Sequence, residues 1–274
     1  MKIIQKKSLG QNFLQDKTVL SKIVSAGELS VGDNVLEIGP GEGVLTKQLL
    51  KNGARVVAIE KDERMKSLNS SLQKIHNRLN SLELYFADIM EINLPKVLAE
   101  NNFDKNGYKV IANIPYYITG KIIRLLLEQE VLPEIIVLLV QKEVAERIVV
   151  KNGRESILSL SVKYYGKAEI VDYVSRKAFK PIPKVDSAIL KITPFKNKRG
   201  NPMEEERFFR LLKIGFASPR KTLFNNLKNG YHLKKEILQK IFQEKSLPEN
   251  IRAEKLKLED WLDLATKFPP AISK

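Results

Sequence analysis

Cysteine is absent from this chain of 274 residues, and histidine occurs only twice, at His76 and His232. Disulfides, thiolate nucleophiles and cysteine-ligated zinc sites are therefore excluded, and two histidines leave little from which to build a metal centre. No stretch reaches the roughly 20 apolar residues of a membrane span, and no long apolar run follows the N-terminal lysines. We expect a soluble, cytoplasmic protein that works without a metal.

Acidic residues are outnumbered, with 47 lysines and arginines against 32 aspartates and glutamates and a formal net charge of +15. An excess of this size indicates a polyanionic partner, either nucleic acid or an anionic membrane surface. Hydrophobic residues make up 43% and charged residues 29%, which is globular composition. The length predicts one large domain or two unequal ones.

From Asn34 onward, short apolar runs alternate with amphipathic stretches, which is typical of βαβ units around a parallel sheet. Residues 135–141 (IIVLLVQ) are apolar on both faces, as a central parallel strand should be. Two later strands, 170–174 and 187–193, are expected to form an antiparallel edge. The predicted fold class is α/β with a mostly parallel sheet of seven strands. The other predicted strands are 34–38, 55–60, 82–87 and 109–113, and predicted helices include 63 to about 76, 143–150 and 156–165.

Residues 194–202 (PFKNKRGNP) contain two prolines, a glycine and three basic side chains, and we interpret them as a linker. The pattern after them is purely helical. We place the domain boundary near residue 195, with one domain over 1–195 and a small all-helical domain over 196–274. The helical part has 18 basic and 10 acidic residues, against 29 and 22 in the longer first part. Such a basic helical module suits contact with a nucleic-acid backbone.

A glycine loop follows the first predicted strand of the sheet and precedes a helix, with the sequence EIGPGEG from Glu37 to Gly43. Glycine lets a ligand approach the backbone at the carboxyl edge of a parallel sheet. The spacing of Gly39 and Gly41 is not that of a G-x-G-x-x-G dinucleotide site. Glu37 and Glu42 would repel a pyrophosphate and attract a cationic sulfonium and an amino group. The loop favours S-adenosylmethionine.

Carboxylates also end the next two predicted strands. Glu60 stands where a carboxylate can accept both ribose hydroxyls of a nucleotide. Asp88 stands where an adenine amino group can be hydrogen-bonded. A tight β–α turn requires glycine even where no ligand binds, so the glycines alone do not indicate a binding site. The carboxylates at the strand ends are the features that predict an S-adenosylmethionine site.

The tetrapeptide Asn113-Ile114-Pro115-Tyr116 ends the fourth predicted strand. Adenine N6 is a poor nucleophile because its lone pair is delocalised into the ring. The Asn113 side-chain carbonyl and the Ile114 backbone carbonyl can accept its two hydrogens and aim the lone pair. Pro115 holds the turn, and Tyr116 offers a stacking face to a flipped base. The competing interpretation is a strand-ending turn with Tyr116 packed in the core.

With these motifs the chain resembles the ribosomal small-subunit RNA adenine dimethyltransferase family over nearly its whole length. Four further stretches support the resemblance: 8–14 (SLGQNFL), 141–147 (QKEVAER), 179–188 (FKPIPKVDSA) and 220–227 (RKTLFNNL). The resemblance implies a Rossmann-like class I methyltransferase domain. It implies S-adenosylmethionine as cofactor and two adjacent adenosines in the terminal hairpin loop of small-subunit RNA as substrate, methylated late in subunit assembly. We expect a monomer, because no large apolar stripe is left unaccounted for.

The resemblance also assigns roles to individual residues. Phe179 is expected to form a second aromatic wall opposite Tyr116. Arg220, Lys221 and Arg147 are expected to contact RNA, the first two through backbone phosphates. The expected cofactor contacts are Gln11, Asn12, Leu14, Gly39, Gly41, Glu60, Asp88 and Asn113.

Two stretches depart from the family pattern, Ser218-Pro219 and residues 151–161, and both bear on RNA docking.

One alternative function is that of the related large-subunit RNA adenine methyltransferase of macrolide resistance. The LGQN and KVDSA runs favour the small-subunit enzyme over it. A second is a non-catalytic RNA-binding assembly factor, which predicts a damaged cofactor site that is not found here. A DNA adenine methyltransferase leaves the motifs beyond the sheet unexplained.

Overall fold

The computed structural model describes residues 12–66, 81–151 and 153–269. The chain divides into two compact units. The first comprises Met1–Ala145 and Lys167–Pro194, and the second comprises Glu146–Gly166 and Phe195–Lys274.

A seven-stranded sheet forms the centre of the first unit, in the order β4-β3-β2-β5-β6-β9-β7. Strands β2 to β6 run parallel, and β9 pairs antiparallel with β6. β1 and β8 form a separate antiparallel pair. The predicted α/β fold with a mostly parallel sheet is confirmed. The strands are β1 (Phe13–Leu14), β2 (Asn34–Ile38), β3 (Arg55–Glu60), β4 (Leu82–Phe86), β5 (Lys109–Asn113), β6 (Ile136–Gln141), β7 (Gly166–Val174), β8 (Phe179–Lys180) and β9 (Ser187–Pro194).

Helices follow most of the parallel strands. α1 begins where the Asp16 side chain accepts hydrogen bonds from the backbone of Thr18 and Val19. A helix is predicted for residues 63 to about 76. Glu63–Lys66 form a short 3-10 helix, and the remaining residues of this prediction lie outside the described residues. The helices described are α1 (Lys17–Ala26), α2 (Val44–Lys51), α3 (Leu94–Glu100), α4 (Phe103–Asn106), α5 (Thr119–Leu127), α6 (Lys142–Ile148), α7 (Ile157–Tyr165), α8 (Pro202–Gly215), α9 (Leu223–Tyr231), α10 (Lys235–Glu244) and α11 (Leu258–Ala265).

The strand order reverses direction between β2 and β5. From β2 the chain moves outward through β3 and β4, then returns to place β5 on the other side of β2. In open parallel sheets such a switch point leaves a crevice at the carboxyl ends of the strands, where ligands bind. The topology therefore brings the ends of β2, β3, β4 and β5 to one edge of the sheet.

The second unit is held together by aromatic side chains of α7 and the C-terminal helices. Tyr164 stacks on Phe208 with ring centroids 4.7 Å apart, and Tyr165 stacks on Phe209 at 5.6 Å. Because of these contacts Glu146–Gly166 belongs with the C-terminal helices, whereas the sequence analysis placed it in the domain over 1–195.

Trp261 is fully buried in the second unit and stacks on Phe216 at 5.5 Å. Gly215 lies directly against its ring, where an added Cβ would come within 2.4 Å. Within the described ranges, none of the helices combines the length and apolar character that crossing a membrane requires.

Candidate active site

A cavity opens where β2, β3, β4 and β5 end, with a volume of about 1070 Å³ including its solvent-open mouth. Its wall combines the segment before α1, the glycine loop, the ends of β3 and β4, and the tetrapeptide after β5. Residues far apart in sequence therefore share one space. The lining includes the predicted site residues Asn12, Leu14, Gly39, Gly41, Glu60, Asp88, Asn113, Ile114, Pro115 and Tyr116.

The glycine loop is braced by β3. Gly39 and Gly41 have φ values of +69° and +55°, a left-handed conformation that glycine adopts without the steric cost of a Cβ atom. The Gly41 amide donates to Glu60 Oε2 at 3.0 Å. A Cβ on Gly41 would lie 3.1 Å from the Phe13 ring, so Phe13 packs against the loop backbone. The sequence analysis quoted Phe13 within a motif but gave it no role.

Glu60 is a structural brace as well as a candidate ligand. Its second oxygen, Oε1, accepts the Asp62 amide at 2.7 Å. Burial raises the pKa of Glu60 above its usual value, against the opposing effect of these two backbone donors. The hydrogen bonds from the Gly41 and Asp62 amides hold the Glu60 carboxylate at the cavity wall, in a defined position to accept two neighbouring hydroxyl groups of a ligand.

Glu37 is the most buried acidic group of the cavity, with 1% of its surface exposed. Burial, opposed by hydrogen bonding from Thr46 and reinforced by the nearby Glu60, raises the pKa of Glu37 to about 8. Among the described residues, no donor reaches its Oε2 atom. A buried carboxyl group with an unused oxygen beside the cavity suits a ligand that carries positive charge. The cavity therefore fits S-adenosylmethionine.

Asp88 is held in place by a lysine that the sequence analysis did not single out. Lys61 Nζ donates to Asp88 Oδ2 at 2.5 Å, and the Met90 amide donates to Oδ1 at 2.9 Å. Burial disfavours the charged carboxylate, but these donors outweigh it and lower the pKa of Asp88. Asp88 is therefore an ionised acceptor at the far end of the cavity. Lys61 directly follows Glu60 in the sequence, and this adjacency to a predicted site residue could have indicated that Lys61 lies at the cavity.

The Asn113 side chain is oriented by the N-terminal segment. Its Nδ2 atom donates to the Asn12 carbonyl at 3.3 Å. This bond commits the amide nitrogen and defines Oδ1 as the acceptor that faces elsewhere. Pro115 then turns the chain with φ −61° and ψ 131°, and a short 3-10 helix begins at Tyr116.

Tyr116 lies half-buried in the cavity wall. Its hydroxyl is 2.6 Å from the Ser187 hydroxyl at the start of β9. Burial raises the pKa of Tyr116, so its phenol stays neutral. The contact with Ser187 therefore anchors the Tyr116 side chain at its hydroxyl group. Ser187 lies within the KVDSA run but was not predicted to have this contact.

Phe179 does not form the predicted wall opposite Tyr116. Its ring is 3% exposed and belongs to the core cluster that includes Leu14, Val174 and Ile189. β8 pairs antiparallel with β1, with Leu14 opposite Phe179, which turns the ring inward. The aromatic sandwich expected from the sequence is not formed in this conformation.

The predicted RNA contacts lie in the second unit. Arg220 and Lys221 are exposed in the loop between α8 and α9, and Arg147 is exposed on α6. The buried Asn226 side chain donates to the carbonyls of Gly215 and Ser218 at 2.7 and 3.2 Å. These bonds hold the loop that carries the two basic residues. Gln11, the remaining predicted cofactor contact, lies outside the described residues.

The sheet order, the antiparallel β9, the glycine loop and the acidic strand ends together define a class I, S-adenosylmethionine-dependent methyltransferase. Solved structures agree. A dimethyladenosine transferase from Plasmodium falciparum has a TM-score of 0.75 and 29% identity, covering 92% of this chain and 95% of that one. The 23S rRNA methyltransferase ErmE has a TM-score of 0.71 and 26% identity, covering 93% of this chain and 99% of that one.

Sequence comparison narrows the class to a family. The model of the family described as ribosomal RNA adenine dimethylase matches residues 4–268. A "Ribosomal RNA small subunit methyltransferase A" of Dehalococcoides mccartyi is 38% identical over 263 residues, covering 96% of this chain and 88% of the relative. Its namesake in Mycoplasmopsis pulmonis is 41% identical over 262 residues, covering 94% and 97%. The chain belongs to the ribosomal RNA adenine dimethylase family.

Proposed function

We propose that this chain transfers methyl groups from S-adenosylmethionine to N6 of adenosines in small-subunit ribosomal RNA, forming N6,N6-dimethyladenosine. One observation supports this above all: the Asn113–Tyr116 tetrapeptide and the acidic glycine-loop site line a single cavity. A cofactor site alone would suit many methyl acceptors. Beside this tetrapeptide, it suits an amine on a flat aromatic ring.

The residues present fit the cofactor. Glu60 would accept the ribose hydroxyls with its remaining lone pairs, and Asp88 would accept the adenine amino group. Glu37 would face the positively charged end. When bound, S-adenosylmethionine supplies an electrophilic methyl group on a sulfonium. Asn12, Leu14 and Gln11 are proposed to close the site over that end.

The chain's own contribution to the chemistry is positioning of the amine. Asn113 Oδ1 and the Ile114 carbonyl accept the two N6 hydrogens, which directs the lone pair out of the ring plane. The bond from Asn113 Nδ2 to Asn12 keeps the amide from flipping, so its acceptor stays on the substrate side. The surplus proton leaves to solvent after transfer, and no strong base is needed.

Tyr116 is proposed to stack on the target base. A flipped adenine needs a flat partner to offset the loss of stacking in the RNA, and base–aromatic stacking is worth about 1–3 kcal/mol. The bond to Ser187 fixes the angle of the ring.

The substrate is proposed to be the pair of adjacent adenosines in the 3′-terminal hairpin loop, methylated in a late assembly intermediate. Loop bases are easier to extrude than paired ones. Residues 196–274, with 18 basic and 10 acidic side chains, would act as an RNA-docking domain. Arg220, Lys221 and Arg147 would contact RNA there. We propose that the protein acts as a monomer, in the cytoplasm where ribosomal subunits are assembled.

The test uses purified protein, labelled S-adenosylmethionine and both ribosomal subunits from cells that lack the modification. We expect labelled dimethyladenosine in small-subunit RNA, and its loss in Asn113→Ala. Asn52→Ala, an exposed asparagine that ends α2, is the matched control and should keep activity. Label in the large subunit would instead indicate an enzyme of the resistance type. Intact cofactor binding without label in either subunit would indicate a non-catalytic assembly factor.

A further inference from the structure

Residues 175–186, which connect β7 to β9, concentrate positive charge on the first unit. The segment contains four basic residues and one acid. Elsewhere on this unit, Lys22 and Lys191 form ion pairs with carboxylates. In the part of the chain that the structure describes, the side chains of Arg176, Lys177 and Lys184 form no ion pair. Their charge is therefore available to an external anion. The four basic residues, all of them exposed, are Arg176, Lys177, Lys180 and Lys184.

Hydrogen bonds close segment 175–186 on itself. The Arg176 amide donates to Asp186 Oδ1 at 2.9 Å, and the Arg176 guanidinium donates to the Lys184 carbonyl at 3.4 Å. Ser175 accepts the Lys177 amide at 3.3 Å. The carboxylate of the segment is thus bonded to its own backbone, where the two ends of the segment meet. A loop held in one shape loses little conformational entropy on binding, so its charges are preorganised.

Segment 175–186 lies at the same edge of the sheet as the cavity. It ends at Ser187, which pairs with Gln141 at the carboxyl end of β6 and contacts the Tyr116 hydroxyl. Its middle part, β8, pairs with β1, whose Phe13 and Leu14 line the cavity. Both contacts are made with the cavity wall. The exposed basic side chains therefore lie beside the place proposed for the target base.

RNA phosphate is the anion that suits this position. A base that enters the cavity brings its own backbone to the cavity mouth, with a phosphate on either side. Lysine and arginine neutralise such phosphates and release their counterions. Ile182 and Val185 are 62% and 44% exposed among the basic residues, and they offer apolar surface to sugars and bases. An anionic membrane would be attracted by the same charges, but it has no backbone that must pass the mouth of this cavity.

We propose that segment 175–186 is a phosphate-binding surface on the first unit, which contacts the RNA backbone next to the extruded adenosine. It adds to the predicted contacts of Arg147, Arg220 and Lys221, which all belong to the second unit. That the RNA is ribosomal rests on the proposed function, but the contact requires only RNA binding and no methyl transfer. Loss of the contact should raise KM for the small subunit and leave kcat close to the wild-type value.

The double variant Lys177→Gln/Lys184→Gln removes two charges from the segment. The matched control is Lys51→Gln/Lys105→Gln, at two exposed lysines of the same unit. Lys51 ends α2 and Lys105 lies in α4, on the chain leading into β3 and β5, so both lie toward the opposite edge of the sheet. Filter binding of small-subunit RNA is measured over a series of KCl concentrations. A single-strand contact contributes about 0.7 to the slope of log K against log salt, so the slope should fall by about 1.4 in the double variant.

The control should keep the wild-type slope, and both variants should keep the wild-type thermal unfolding, because only exposed side chains change. An unchanged slope in Lys177→Gln/Lys184→Gln, or an equal fall in the control, would overturn the proposal. Unchanged RNA binding with weaker binding to phosphatidylglycerol vesicles would overturn it in favour of a membrane surface.

The same measurements separate this surface from the proposed reaction. A reduced slope in a protein that forms no dimethyladenosine would support the phosphate contact and refute only the reaction. Methylated RNA together with an unchanged slope would refute the phosphate contact and leave the reaction standing. A fall in kcat without a change in slope would place the effect in the cavity wall and overturn the role in RNA binding.

Discussion

Replacing Glu37 by glutamine should change how the stability of the ligand-free protein depends on pH. Glu37 is fully buried and its pKa rises from the usual 4.5 to about 8 in the folded protein. The folded state therefore holds a proton that the unfolded chain gives up above pH 4.5. The contribution of Glu37 to stability is complete below pH 4.5 and is lost as the pH rises to about 8.

The size of this change in unfolding free energy follows from the difference between the pKa values of Glu37 in the folded and unfolded protein. Each unit of pKa corresponds to about 1.36 kcal/mol, so the loss between pH 5.5 and 8 is about 3 kcal/mol. Glutamine has nearly the same shape and no proton to lose. Relative to Glu37→Gln, the wild type should therefore lose about 3 kcal/mol of unfolding free energy across this range.

Urea denaturation followed by circular dichroism at pH 5.5, 6.5, 7.5 and 8.5 measures this difference. The fluorescence of Trp261, buried in the second unit, shows whether both units unfold in one transition. Glu83→Gln controls for the loss of one negative charge at an exposed position. Parallel stability curves for wild type and Glu37→Gln would refute the reasoning, because they would mean that Glu37 is ionised in the folded state throughout.

Three further predictions concern the glycine loop, the tyrosine anchor and the basic loop. Gly41→Ala should lower the unfolding free energy by about 1–2 kcal/mol through its positive φ and weaken S-adenosylmethionine binding in calorimetry by crowding Phe13. Gly32→Ala, also at positive φ but with open space around it, should affect only stability. Ser187→Ala leaves the Tyr116 hydroxyl without its partner and should raise KM for the ribosomal subunit several-fold, with recovery in Ser187→Thr and cofactor affinity unchanged. Arg220→Ala should weaken RNA binding in filter-binding assays and reduce the salt dependence by about one phosphate contact, and an unchanged salt slope would contradict the phosphate role.

Several parts of this molecule follow from local sequence pattern. The parallel strands could be located because each is a short apolar run bounded by turn residues, and β2, β3 and β5 begin and end at the predicted residues. In the sequence, Trp261 shares a helical spacing with Leu258, Leu262 and Ala265, which predicts a core position, and its side chain is fully buried. The glycine loop and the strand-end carboxylates could be expected to share an edge, because parallel strands end on the same side of a sheet.

Other properties depend on contacts between distant segments. The pairing of β8 with β1 decides whether Phe179 faces the cavity or the core. In this pairing Phe179 lies opposite Leu14, which is 165 residues earlier in the chain. The bond between Asn113 and Asn12 spans 101 residues, and no local pattern indicates it. Helix α7 joins the second unit because Tyr164 and Tyr165 find aromatic partners there.

The fold class, the family and the chemical character of the site can be predicted from the sequence, because they follow from hydrophobic periodicity, strand-end residue types and motif order. Which groups are buried and what they contact depends on how distant segments pack together. Glu37 shows the difference most directly. Its carboxyl group is visible in the sequence, but its proton is held by desolvation, and desolvation depends on every element that packs around it.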